Sequence, residues 1–154
     1  FILRQMEDEQ DTEAWVEMFN QTFIDHWNHY DLTVETANHY MSDPNYRPEL
    51  HLIAVAPDGT FAAFCSCEIN PEDNKRNERN EGWIGVLGTR RGFRKQGLGR
   101  AMLLAGLQRL KAAGVETARL GVDAHNPNGA GKLYESVGFR KLYTRILFVK
   151  DVQP

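Results

Sequence analysis

"RRGFRKQGLGR", residues 90–100, places five basic side chains (Arg90, Arg91, Arg94, Lys95, Arg100) and three glycines in eleven positions. The 154-residue chain around it has 18 basic and 21 acidic side chains, a formal net charge of −3. Positive charge is therefore concentrated where the backbone is most permissive, within a slightly acidic protein. Apolar "GWIGVLGT" precedes the stretch, its Gly85 and Gly88 marking a bulge or a close backbone approach. "GLGRAMLLAGLQRLKAAG" follows, with Leu103, Leu107 and Leu110 on one helical face and Gly114 as a stop. A strand, a glycine turn and a helix N-terminus form a ready anion site, because orphan N–H donors and the helix dipole both favour negative charge. Phosphate is the natural guest. "GFRKQGLG" has the glycine spacing of a Walker loop, but no Lys-Ser/Thr follows Gly97, and "GLGRAM" lacks the third glycine of the dinucleotide fingerprint. What remains is Arg94-Lys95-Gln96-Gly97-Leu98-Gly99-Arg100. There Gly97 and Gly99 let the backbone close around a pyrophosphate while Arg94, Lys95 and Arg100 charge its rim. The plainer reading is a solvated basic turn before a helix.

Outward from this centre, strands and helices interleave. "FILRQM" reads as an opening strand, and "TEAWVEMFNQTFIDHW" sets Trp15, Phe19, Phe23 and Trp27 at successive i+4 steps of an amphipathic helix. Thr33 is placed to cap a second helix over "LTVETANHYM". "HLIAVA", "PDGT" and "FAAFCSCEI" make a hairpin whose turn is Asp58-Gly59. "NPEDNKRNERNE" has no periodicity and reads as a long solvated connection. Beyond the glycine turn, "TARLGV" is a strand, "GAGKLYESV" a short helix, and "FRKLYTRILFVKDV" extended structure. The pattern predicts a mixed α/β sheet in a single domain over 1–154.

Composition narrows the function classes. Hydrophobic content of 42% and charged content of 25% are those of a globular domain with a core. No apolar run reaches the roughly 18 residues of a membrane span, and acidic "EDEQD" argues against a signal peptide, so no membrane partner and a cytoplasmic location are expected. The overall acidity and the lack of an aromatic platform beside the charges argue against nucleic acid. Cys65 and Cys67, two apart on one strand face, are expected to be buried, reduced thiols that only pack. No metal site is expected, because His26 and His29 lack further ligands. The chain opens on Phe1 rather than Met, which is compatible with a domain of something longer.

The order strand, Arg-x-x-Gly-x-Gly turn, amphipathic helix, strand, then "NPNGAGKLYESVGF", resembles the acetyl-CoA binding half of the GNAT superfamily of N-acyltransferases over about residues 82–139. The resemblance implies a GNAT-like fold: a mixed, mostly antiparallel sheet with flanking helices. It also implies acetyl-CoA as co-substrate, with its pyrophosphate cradled by Arg94, Lys95, Gln96, Gly97, Leu98, Gly99 and Arg100. By the same resemblance Val86, Leu87 and Gly88 pair with the pantetheine arm, and a bulge there aims an N–H at the thioester oxygen. Asn126 is the next cofactor contact and Tyr134 the acid that protonates the departing thiolate. Asn126 stands eight residues before Tyr134, one more than is usual in the family, which keeps Asn128 as a competitor for its role.

An amine acceptor is almost fully protonated at neutral pH, so transfer needs a base. Glu68, Glu81, Asp123 and His125 are candidates, with Glu68 taken first. "DHWNHYD", between the first two helices, offers His26, His29 and Tyr30 as acceptor-lining residues. The acceptor is expected to be a small-molecule or peptide amine, and a homodimer or a second domain of a longer chain is compatible with the sequence. The chain looks similar to one half of a tandem-domain family member. The rival reading is a domain that binds coenzyme A without turnover and acts as a sensor.

Overall fold

A computed structural model describes residues 1–7, 9–24, 31–122 and 130–152. Two compact units divide the chain, Phe1–Gly121 and Val122–Pro154. The first holds β1 (Ile2–Gln5), α1 (Glu9–Thr22), α2 (Val34–Met41), a 3-10 turn (Pro48–Leu50), β2 (His51–Val55), β3 (Phe61–Glu68), α3 (Pro71–Arg76), β4 (Glu81–Thr89), α4 (Leu98–Ala112) and β5 (Thr117–Arg119). The second holds α5 (Ala130–Ser136).

The sheet order is β1-β2-β3-β4-β5, antiparallel from β1 to β4 and parallel between β4 and β5. This is the mixed, mostly antiparallel sheet that the sequence predicts. Asp58 and Gly59 make the β2–β3 turn: the Asp58 carboxylate accepts from the Thr60 amide at 3.0 Å, and Gly59 supplies φ +90°.

Alternation along β3 divides two cores. Phe64 faces α1, with the rings of Trp15, Phe19 and Phe23 at 6.1, 5.8 and 6.0 Å, so the predicted aromatic stripe packs as a core and needs no ligand. Trp27 lies outside the described residues. Cys65 and Cys67 face α4, where Gly106 admits them: a Cβ there would stand 2.7 and 3.0 Å from the two sulfurs. Both thiols are free and buried with their sulfurs 3.8 Å apart, and hydrogen bonding to Cys67 together with burial pushes the Cys65 thiol well up.

Two segments differ from the sequence reading. "NPEDNKRNERNE" contains α3 rather than a plain loop. Asn70 accepts from the amides of Glu72 and Asp73 at 3.1 Å, Pro71 occupies the first turn, and Lys75 and Arg76 lie in the last. "FRKLYTRILFVKDV" forms no strand among the described residues. A strand is completed by its ladder, and this segment has no described ladder partner.

Candidate functional site

The basic turn begins where β4 ends. The Arg90 amide donates to Ala62 O at 2.8 Å and the Phe93 amide to Arg90 O at 3.1 Å. Gly92, Lys95 and Gly97 then take φ of +90°, +63° and +81°. Gly97 is the N-cap of α4 and brings no capping side chain; the first helical bond runs from the Ala101 amide to Gly97 O at 3.1 Å. The amides of Leu98 and Gly99 therefore point out of the helix end without intrahelical partners. A Cβ at Gly97 would meet nothing within 4 Å among the described residues.

Arg94 is not simply a rim charge. Its Nε donates to Thr89 O at 3.0 Å and its Nη2 to Thr22 O at 2.9 Å, which ties the turn to the last residue of α1. Arg90 pairs with Glu17 of α1 at 2.8 Å. Arg90 and Arg94 thus anchor the turn, while the Lys95 side chain is exposed.

Beside the turn, the described residues leave part of one β4 edge unpaired. It pairs with β5 only through Glu81, Gly82 and Trp83, so from Ile84 onward its described ladder is with β3 alone. The register with β3 jumps between Ser66↔Val86 and Cys67↔Ile84, leaving Gly85 as the extra residue of a bulge. Val86, Leu87 and Gly88 follow directly. Glycine is required at Gly88, where a Cβ would approach Thr22 and Phe64 within 2.9 Å.

Glu68 closes β3 against this bulge, with its Oε1 3.0 Å from where a Gly85 Cβ would stand. Its side chain accepts from the Tyr40 hydroxyl at 3.5 Å. Burial, then the Glu68 charge, raises Tyr40 well above the usual tyrosine range. Next to it Tyr46 OH and His51 Nδ1 are 2.8 Å apart. Burial and then Glu49 push Tyr46 up to about 12, and burial brings His51 down to about 4. The sequence reading missed Tyr40, Tyr46 and His51, because their shared place depends on long-range packing. Glu81, another candidate base, is committed to Arg119 at 2.7 Å and Arg79 at 3.6 Å and clamps β4 to β5.

Tyr134 lies on α5 in the second unit, half-buried, its ring edge-on to Phe139 at 6.1 Å. His26, His29, Tyr30, Asp123, His125, Asn126 and Asn128 lie outside the described residues. Among the described residues no helix is long and apolar enough to cross a membrane.

The profile of the acetyltransferase (GNAT) family matches residues 12–139. Mycothiol acetyltransferase of Nocardiopsis dassonvillei is 31% identical over 140 residues, 90% of this chain and 42% of that protein. The mycothiol acetyltransferase of Thermobispora bispora is 32% identical over 149 residues, 95% of this chain and 48% of that protein. The chain spans less than half the length of these relatives. Among solved structures, the GCN5-related N-acetyltransferase from Sphaerobacter thermophilus has a TM-score of 0.72 at 28% identity, covering 89% of this chain and 40% of that one.

Proposed function

The chain belongs to the acetyltransferase (GNAT) family, and from that premise we propose that it moves an acetyl group from acetyl-CoA to an amine acceptor by direct transfer within a ternary complex. One observation carries the reading: the β4 edge that the described residues leave unpaired, its Gly85 bulge and the uncapped N-terminus of α4 are consecutive on one strand, turn and helix. The residues suit the co-substrate. Bare amides at Leu98 and Gly99, a Gly97 whose Cβ position no described atom approaches within 4 Å, and exposed Lys95 match a pyrophosphate, while the edge at Val86, Leu87 and Gly88 matches an amide-bearing arm that pairs as a strand would. Arg94 contributes by holding the turn to α1, and Gln96, Arg100 and Asn126 enter by resemblance.

Acetyl-CoA supplies the acetyl group as a thioester. Glu68 takes the proton of the acceptor ammonium, so that the nitrogen lone pair can attack the thioester carbonyl. A β4 amide after the bulge donates to the carbonyl oxygen as it gains negative charge. When the carbon–sulfur bond breaks, Tyr134 gives a proton to the sulfur, a role drawn from the "LYESVGF" resemblance, and the second proton of the attacking nitrogen leaves to solvent, which also reprotonates the phenolate. The mycothiol acetyltransferase relatives favour a small-molecule acceptor over a peptide.

The test is a panel of small amines and peptides incubated with the chain and acetyl-CoA, read by free-thiol release and by mass of the N-acetyl product. Thiol and product rising together support transfer. Saturable coenzyme A binding with no product from any acceptor leaves the sensor reading in its place.

A further inference from the structure

Behind Glu68 opens a cleft of about 150 Å³ walled by Tyr40, Asp43, Tyr46, His51 and Glu68. Its aromatic walls are fixed by mutual edge-to-face packing: Tyr40 to Tyr46 at 5.5 Å, Tyr46 to His51 at 5.6 Å and Tyr40 to His51 at 6.1 Å. Trp15 backs His51 at 4.8 Å. His51 is only 1% exposed, and its buried Nε2 has no hydrogen-bond partner among the described residues. Such a wall is preorganised, because its rings are locked by neighbours before any ligand arrives.

The cleft's lining carries two carboxylates and one guanidinium. Asp43 and Glu68 are carboxylates with no cationic partner among the described residues. The one arginine in the lining, Arg47, is taken up by Glu49 at 2.6 Å. His51, buried, adds no positive charge near neutral pH. Two carboxylates beside two tyrosine rings attract a cation twice over, by charge and by the ring quadrupole. Asn45 and Asn70, also in the lining, add amide donors and acceptors suited to hydroxyls. Pockets for whole drug-sized ligands begin near ~300 Å³, so this volume suits the amine end of a molecule rather than all of it.

Position links the cleft to the transfer site. Glu68 belongs to both, since its carboxylate lines the cleft and also stands over the Gly85 bulge. The glycine turn follows the C-terminal end of β4, whereas Glu68 pairs with Trp83 near its N-terminal end. Donor and acceptor would thus reach the bulge from opposite ends of one strand, without competing for space.

We infer that this cleft seats the protonated primary amine of a small hydroxylated acceptor, holding the ammonium between Glu68, Asp43 and the Tyr40 and Tyr46 rings. The inference rests on the acetyl-transfer reading and names the acceptor's class and door.

The test uses amide NMR spectra of the uniformly labelled full chain, titrated with ethanolamine and glucosamine and, in parallel, with their neutral counterparts ethylene glycol and glucose. The amines are expected to shift the amides of residues 40–47 and 67–70, and the neutral compounds to leave them in place. Asp43→Asn and Glu68→Gln, which keep shape and remove charge, should each weaken amine binding about tenfold; the dispersion of the same spectra reports whether each variant is folded. Amines that shift nothing there, that shift the α1–α2 connection instead, or that bind both folded variants as tightly as the parent overturn the inference. Coenzyme A titrated into the same sample separates the two readings. If it shifts residues 92–100 while the amines fail, the cleft assignment falls alone; if it shifts nothing there, the donor reading falls.

Discussion

Gly97 sits at φ +81° with no described atom within 4 Å of where a side chain would begin, so two separate demands meet on one residue. A β-branched residue would be strained in that conformation and would fill the approach to the Leu98 and Gly99 amides. Gly97→Val should therefore abolish coenzyme A binding measured by calorimetry, and cost about 1–2 kcal/mol in urea unfolding from backbone strain. Unchanged affinity would move the pyrophosphate elsewhere. For Tyr134, removal of the hydroxyl alone distinguishes acid from packing. Tyr134→Phe should lower turnover by about 10²-fold or more at nearly constant coenzyme A affinity, whereas full turnover would pass thiolate protonation to water or another side chain. The glycine was legible in the sequence because a positive φ and close approach restrict residue choice locally. The partners of Arg94 were not, since its contact with Thr22 spans 72 positions and no short pattern announces it.

At the scale of elements, Arg94 acts as a brace, its guanidinium bridging the carbonyl of Thr22 in α1 and that of Thr89 in β4. Lysine keeps the charge but lacks the planar fork that reaches two carbonyls. Arg94→Lys should thus lose coenzyme A affinity nearly as much as Arg94→Met, with about 1–3 kcal/mol of stability lost in either. If Arg94→Lys binds as the parent does, rim charge is what matters and the brace does not. Strand and helix identities from β1 through β5 were largely readable, because apolar periodicity and the Thr33 and Gly114 signals agree there. The miss at α3 has a physical cause: six residues with no buried member carry no apolar stripe, so only the Asn70 cap and Pro71 could have revealed it. Tyr40, Tyr46 and His51 escaped for another reason, since each reads as an ordinary aromatic until α2 is laid against the start of β2 and the end of β3.

For the first unit as a whole, stability carries the mark of His51. Its folded value near 4 lies below the ordinary 6.5, so between these values the unfolded chain binds a proton that the folded chain refuses. Above 6.5 the group has no effect, and as pH falls from 6.5 towards 4 it should cost on the order of 3 kcal/mol. Urea unfolding of the parent and of His51→Gln at neutral and at mildly acid pH checks this: the parent should lose more stability on acidification, and equal losses would refute a buried neutral imidazole. The strand order, β1 to β5 without interruption, has a consequence for how the molecule is made. During synthesis β3 follows its partner β2 after five residues and β4 follows β3 after twelve, whereas β1 waits for β2 through α1 and α2, across 45 intervening residues. The meander can be in place before residue 90 emerges. The glycine turn is then laid onto a finished edge, and β5, held by three residues, joins β4 only after the whole of α4.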